Sequence, residues 1–230
     1  MYFQHSSEIW REFPELVPGV LYVEGIHSDV AVGHRIAIFN ARAEERLAAA
    51  SEGELPEIQA WRRAFSKMGL KPTQYRCASE SLLRRFKKEK SLPQIHPLID
   101  LCNSISLAFA IPVAVLDVSQ ISGRLEVRHA VGNETYLSFS GQIENPEADE
   151  VIFADDIGHA HARRWTNRQS AHSAVRDTTT AVAIVAEAMH ASAAADIDEL
   201  TAAIAHELSV VWLVTPTKTI LSRSSPRFEF

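Results

Sequence analysis

Between Arg163 and Thr180 the chain reads RRWTNRQSAHSAVRDTTT, a polar run set between the apolar segments Val151-Ile152-Phe153 and Ala181-Val182-Ala183-Ile184-Val185. A run of this kind is either a solvated loop or the wall of a site. Trp165 argues for the wall, because its large apolar area would be costly to leave bare in a loop. Arg164, Asn167, Arg168, Gln169 and Ser170 crowd neutral and cationic donors together. The run then passes Asp177 and three threonines into a segment read as a helix, whose first N–H groups would face the same space. This pattern predicts a binding wall for a polar ligand that is anionic or carries an ester.

Other chemistry-bearing residues form weaker patterns. No Gly-x-Ser-x-Gly elbow, phosphate-cradling Gly-Lys-Ser/Thr loop, Gly-x-Gly-x-x-Gly turn or Cys-x-x-Cys pair occurs. His159 and His161 follow Asp155-Asp156 and would share one side of a strand, a zinc-compatible pair. No third ligand stands at a motif spacing, so exposed or structurally satisfied histidines are expected, with no metal and no cofactor. Cys102 beside Asn103 lies in an apolar helical stretch and reads as small core filling rather than a nucleophile. Glu187, in VAEAMH, either needs a partner within an apolar run or lies on a helix's wet side.

These residues must be positioned by a mixed set of elements. Residues 16–26 read as a strand after a Pro-Gly turn. Ile36, Phe39, Ala43, Leu47 and Ala50 recur at helical spacing, and Pro56 opens a second helix that Gly69 ends. Residues 79–90 predict a third helix with Ser79 as N-cap. Its outer face carries Arg84, Arg85, Lys87 and Lys88, the densest basic cluster, read as a solvated face or a phosphate-backbone patch. A fourth helix runs from His96 to about Ala110. Short strands follow at 113–118, 125–130, 135–139 and 151–154. Beyond the polar run, Thr180 to about His190 reads as a helix, Asp196 to Glu207 as another, and Ser209–Thr215 as a late strand. The tail from Pro216 reads as an edge strand or loose chain. Strands and helices mix without regular alternation, which predicts an α+β or mixed α/β fold: a mixed β-sheet flanked by helices. No Pro/Gly/Ser-rich boundary divides residues 1–230, so a single domain is expected.

The chain has 230 residues, 46% of them hydrophobic, and a formal net charge of −6. A sizeable core follows, and a nucleic-acid partner would have to engage a local patch. Cys77 and Cys102 stand in no metal or redox spacing. The N-terminus lacks a signal-peptide pattern and no stretch approaches a membrane span, so a cytoplasmic protein with reduced thiols and no membrane partner is expected.

The run LPQIHPLIDLCNSISLAFAIPVAVLD, then SGRLEVRHAVGNETYLSFSG, then EVIFADD, resembles the editing and tRNA-binding module, B-three/B-four, of the phenylalanyl-tRNA synthetase β subunit. The matching positions are Ile99-Asp100, Asn103, Pro112, Asp117, Gly123, Val127-Arg128, Ala130 and, one residue displaced, Glu134. The resemblance is clearest over residues 92–190 and is closest to free-standing members of the family. It implies a mixed α/β fold whose cleft holds the amino acid of a mischarged tRNA, whose ester is hydrolysed by positioned water without a covalent nucleophile. It further implies tRNA, not DNA, as partner, with Asn103 in the pocket and Glu187 at the position that reads a substrate hydroxyl.

Two departures bear on specificity. Ala114 stands where that module has a histidine, and Trp165-Thr166-Asn167-Arg168-Gln169-Ser170 replaces a glycine-rich wall. A smaller or more polar pocket is expected. Asn103, Arg168 and Gln169 are the expected catalytic residues. Trp165, Asn167, Ser170, Glu134 and Glu187 are expected to line the substrate, with Arg84, Arg85, Lys87 and Lys88 on tRNA. The alternative expectation is a non-catalytic module that binds tRNA or an amino-acid-like ligand. A further alternative is a metal-dependent hydrolase built on His159, His161 and an Asp.

Overall fold

The computed structural model describes residues 1–230. Its elements run β1 (Tyr2–His5), α1 (Ser7–Glu12), β2 (Val17–Glu24), α2 (Gly33–Ala49), α3 (Pro56–Lys67), α4 (Ala78–Glu89) and α5 (Pro97–Phe109). There follow β3 (Val113–Asp117), β4 (Arg124–His129), β5 (Tyr136–Leu137), β6 (Ile143–Glu144), β7 (Val151–Asp155), β8 (Ala160–Arg163), β9 (Arg168–Gln169), β10 (Ala181–Ala188), α6 (Ala193–Val211), β11 (Thr217–Ile220) and β12 (Arg227–Glu229). The fold is mixed α/β, as expected, but its strands divide between two larger sheets rather than one. One has the order β12-β1-β4-β7-β8-β9, the other β11-β2-β10-β3, and β5 pairs with β6 alone.

The eight-residue β10 overturns the expected helix at 180–190. It pairs antiparallel with β2 from Ala181↔Glu24 to Ala188↔Val17, and with β3 from Val182↔Asp117 to Ala186↔Val113. Its alanines favour a helix, but a strand hydrogen-bonded on both edges and buried on both faces satisfies far more backbone. Alternation along it sorts the core. Val182, Ile184, Ala186 and Ala188 face α5 and α6 with Leu21, Val23, Val115, Ile105 and Ile197. Val185 faces the other way, with Val20, Leu116, Trp61, Trp165 and Phe153. Glu187 shares that second face by parity.

Gly19 brings α6 close over β2: a Cβ there would meet Thr201 Cγ2 at 2.6 Å and Ile197 Cγ2 at 2.7 Å. Helix α6 also takes in the start of the expected strand at 209–215 and ends at Val211, because Leu208 and Trp212, one turn apart, both bury in the core; residues 213–216 form no strand. The tail supplies edge strands to both sheets, β11 on β2 and β12 on β1. Helices α2, α3, α4 and α5 lie where their periodicity put them. The cap of α4 is Cys77 rather than Ser79, because the Ala78 N–H donates to Thr166 O at 2.8 Å and the helix start is capped by the polar run itself.

Candidate functional site

The polar run closes over the second face of the β3–β10 edge. Tryptophan 165 turns inward because Arg164 and Trp165 both take left-handed backbone, φ 47° and 58°. Such a conformation costs a side-chain-bearing residue roughly 1–2 kcal/mol. It is held by Arg164 N donating to Glu150 Oε1 at 3.0 Å and Trp165 N donating to Val151 O at 2.7 Å. The indole is fully buried, edge-on to Trp61 at 5.2 Å and to Phe13 at 4.8 Å.

Beneath it lies a narrow cleft of about 60 Å³. That is well below the roughly 300–1,000 Å³ of drug-sized sites, so the cleft admits only a small group. Pro112, Val113, Ala114, Leu116, Phe153, Ala162, Val185 and Trp165 give it apolar walls. The polar groups are Glu187, Thr166, Asn167, Arg168 and Gln169. The pocket is therefore apolar at its walls and polar along one lip.

Glu187 is the one carboxylate on this surface and is 2% exposed. Its Oε1 accepts from Trp165 Nε1 at 2.9 Å and shares a 2.6 Å hydrogen bond with His5 Nε2. His5 comes from β1 and is itself buried between Phe3 and Trp10. The Glu187 backbone oxygen accepts from Trp61 Nε1 at 3.2 Å. Oε2 has no protein partner and is left to the cleft. Glu187 is thus neither on a helix nor on a wet side: its carboxyl group is fixed through one oxygen, and the other has no protein partner.

The lip residues are partly committed. Gln169 Nε2 donates to Val115 O at 2.7 Å, tying the edge of one sheet to the edge of the other. Asn167 Nδ2 donates to Arg76 O at 2.7 Å. Arg168, exposed at the mouth, reaches Glu144 with two nitrogens at 3.2 Å each and lies 5.1 Å over the Tyr136 ring.

The other expected site residues lie elsewhere. Ser170 is fully buried and braces Leu137 through both its O–H and its oxygen, at 2.9 and 3.3 Å. Glu134 is buried against Arg128 and the N–H groups of Val131 and Gly132. Burial pushes its carboxyl up, but those donors outweigh it and hold the group below its ordinary range. Asn103 is half-buried on α5, which packs mainly on the far face of the β3–β10 sheet, and it does not line the cleft. No helix N-terminus follows the threonines, since they lead into β10.

Both cysteines are buried, and burial pushes the Cys77 thiol up to about 11 and Cys102 to about 12. His161 and His159 flank Asp155 Oδ2 at 3.4 and 3.6 Å, and His159 stacks on His172 at 4.0 Å. Asp155 is tied instead to the N–H groups of Ser122, Ile157 and His159. The basic residues sit on the outer face of α4, but Arg84 and Lys87 both reach Glu52, at 3.0 and 3.2 Å, and Arg85 reaches Glu89 at 2.8 Å. Sequence reading missed His5 and Trp61; only their type, two large ring donors near apolar runs, marked them.

A family model described as the B3/4 domain matches residues 60–203. No curated protein sequence matches the chain. Among solved structures, an N-terminal fragment of the phenylalanyl-tRNA synthetase β-subunit from Pyrococcus horikoshii is similar, with a TM-score of 0.45 and 8% identity. The match covers 95% of this chain and 53% of that fragment, so the chain spans about half its length. No helix is long and apolar enough to cross a membrane.

Proposed function

Because the chain belongs to the B3/4 domain family, we propose that it hydrolyses the ester linkage of a mischarged aminoacyl-tRNA in the cleft beneath Trp165. The observation that carries this is Glu187: the cleft's one carboxylate, with one oxygen unpaired beside its apolar walls. An esterified amino acid presents an α-ammonium group beside an apolar side chain. The ammonium pairs with Glu187 Oε2, and the side chain fills the space between Pro112, Phe153 and Val185. The ester carbonyl then lies toward the lip, near Arg168 and Gln169.

Water is the nucleophile in this reading. It adds to the carbonyl carbon, and charge develops on the carbonyl oxygen, where Arg168 can exchange Glu144 for the oxyanion. The bond from carbon to the ribose oxygen breaks, a proton passes to that oxygen, and free amino acid and tRNA leave. Trp165 limits the volume, which favours small apolar side chains. Asn103 has no part in this arrangement.

The tRNA body would lie along α4. Ala78 lines the cleft and begins the helix that carries Arg84 through Lys88. At 1.5 Å rise per residue, those cations start about 9 Å from the cleft and extend to about 15 Å.

A panel of mischarged tRNAs incubated with the purified protein tests this reading. Release of free amino acid from at least one, with tRNA intact, supports it. Binding of aminoacyl-tRNA without release at any pH would replace it with the binding-module reading. That reading draws on the missing histidine at Ala114 and on the commitment of Asn167 and Gln169 to the backbone.

A further inference from the structure

Past the far end of β10, three side chains from three elements converge. Glu57 stands in the first turn of α3, His190 follows β10, and Asp196 stands in the first turn of α6. One potential ligand atom from each lies within 4.8 Å of the other two. Glu57 and His190 are each 6% exposed. None of the three lines the cleft.

Protein partners satisfy only part of this cluster. Arg46 Nη2 donates to Glu57 Oε1 at 2.7 Å. His190 Nε2 lies 2.6 Å from Asp196 Oδ2, which also accepts from Ser192 Oγ at 2.7 Å. Glu57 Oε2 and His190 Nδ1 are enclosed without any partner. Buried polar atoms are ordinarily paired, so two unpaired ones in a single cluster call for a shared explanation. With Nε2–H directed at Asp196, Nδ1 carries a lone pair, as does Glu57 Oε2. Two lone pairs cannot satisfy each other, but both can coordinate a cation.

We propose that Glu57, His190 and Asp196 form a binding site for a divalent transition-metal ion, zinc being one that mixed imidazole and carboxylate sets commonly hold. Arg46 and Ser192 orient the two carboxylates from behind, as outer partners of metal ligands do. Glu57 Oε2 and His190 Nδ1 would coordinate the ion, while Asp196 holds the imidazole through Nε2–H as an outer partner. The site is structural rather than catalytic. It joins α3, α6 and the end of β10, and α3 carries Trp61, which supports Glu187 from behind. Sequence spacing gives no sign of it, because the three residues are 57, 190 and 196 in the chain.

Zinc binding to the metal-stripped full-length chain tests the proposal, by competition with a chromophoric chelator at pH 7.5. One equivalent is expected, with affinity reduced at least tenfold in both His190→Ala and Glu57→Gln and unchanged in His159→Ala. Cobalt substitution adds a spectroscopic readout: its visible d–d bands are expected in the parent and in His159→Ala, and lost in His190→Ala. A parent that binds no ion at micromolar zinc overturns the site, whatever the variants do. So does binding that survives His190→Ala, or that is lost in His159→Ala and not in a folded Glu57→Gln. The readout does not involve hydrolysis, so this result and that of the tRNA panel stand apart.

Discussion

Trp165 donates its indole N–H to Glu187 across 2.9 Å, and that single contact joins the polar run to the central strand of the sheet beneath it. The indole fills space as a wall would, and its nitrogen fixes one oxygen of the carboxylate so that the other faces the cleft. Replacing Trp165 by Phe keeps most of the apolar contact with Trp61 and Phe13 but removes the donor. A hydrogen bond to a charged group is worth about 1.5–3 kcal/mol, so Trp165→Phe is expected to lose stability in that range. Trp165→Ala is expected to lose about 3–5 kcal/mol. Urea unfolding measures both. Parent-like stability of the Phe variant would mean that the bond contributes nothing.

Glu52 restrains the basic face of α4. It holds Arg84 and Lys87 together at 3.0 and 3.2 Å. Burial pushes its carboxyl up, but its backbone contact and Lys87 outweigh that and leave it lowered, hence ionised at neutral pH. Glu52→Gln is therefore expected to tighten tRNA binding, and Lys87→Ala with Lys88→Ala to weaken it. The double variant should also flatten the slope of log affinity against log salt by about 1–2. Filter binding across a salt series checks this. An unchanged slope would place the RNA elsewhere.

Asp155 gives the fold a defined acid sensitivity. Burial raises its carboxyl, but His161, 3.4 Å away, and the N–H groups of His159 and Ser122 hold it down at about 2, against an ordinary 3.8. A group depressed in the folded state adds stability above its unfolded value and loses it as pH falls through the folded value. The window is therefore about pH 4 to pH 2. The contribution is on the order of 2 kcal/mol. Asp155→Asn is expected to be less stable at pH 7 and to show a flatter profile across that window. Parallel pH profiles for parent and variant would contradict the assignment.

The two thiols offer a simpler check. Buried at Cys77 and Cys102 and pushed up to about 11 and about 12, they are expected to be inert to a disulfide reagent at pH 8 in the native chain. Both should react at once in denaturant. Rapid labelling of the folded protein would show that the α4 start or α5 opens locally.

How much of this was legible beforehand follows from the range of each interaction. Helices α2 to α5 declared themselves through apolar spacing, which is local. Strand β10 did not, because its alanines and Glu187 favour a helix and only pairing with β2 and β3, over a hundred residues away in one case, decides otherwise. The end of α6 was misread for the converse reason: Val210, Val211 and Trp212 look like strand, yet Trp212 is one turn from Leu208 and buries with it. At the site, a tryptophan inside a polar run pointed correctly to a wall. The His5–Glu187 contact spans 182 residues and left no trace in spacing. Asn103 and Glu134 matched a motif, but neither lines the cleft, and Glu134 instead holds the Val131–Gly132 turn.

The central claim is that the free oxygen of Glu187 grips the esterified amino acid, and hydrolysis by Glu187→Gln tests it most directly. Glutamine keeps the size and one acceptor but removes the charge. Single-turnover release of amino acid from the best tRNA substrate is expected to fall about 100-fold, with tRNA affinity along α4 unchanged. A folded Glu187→Gln variant that releases amino acid at the parent rate would contradict the account.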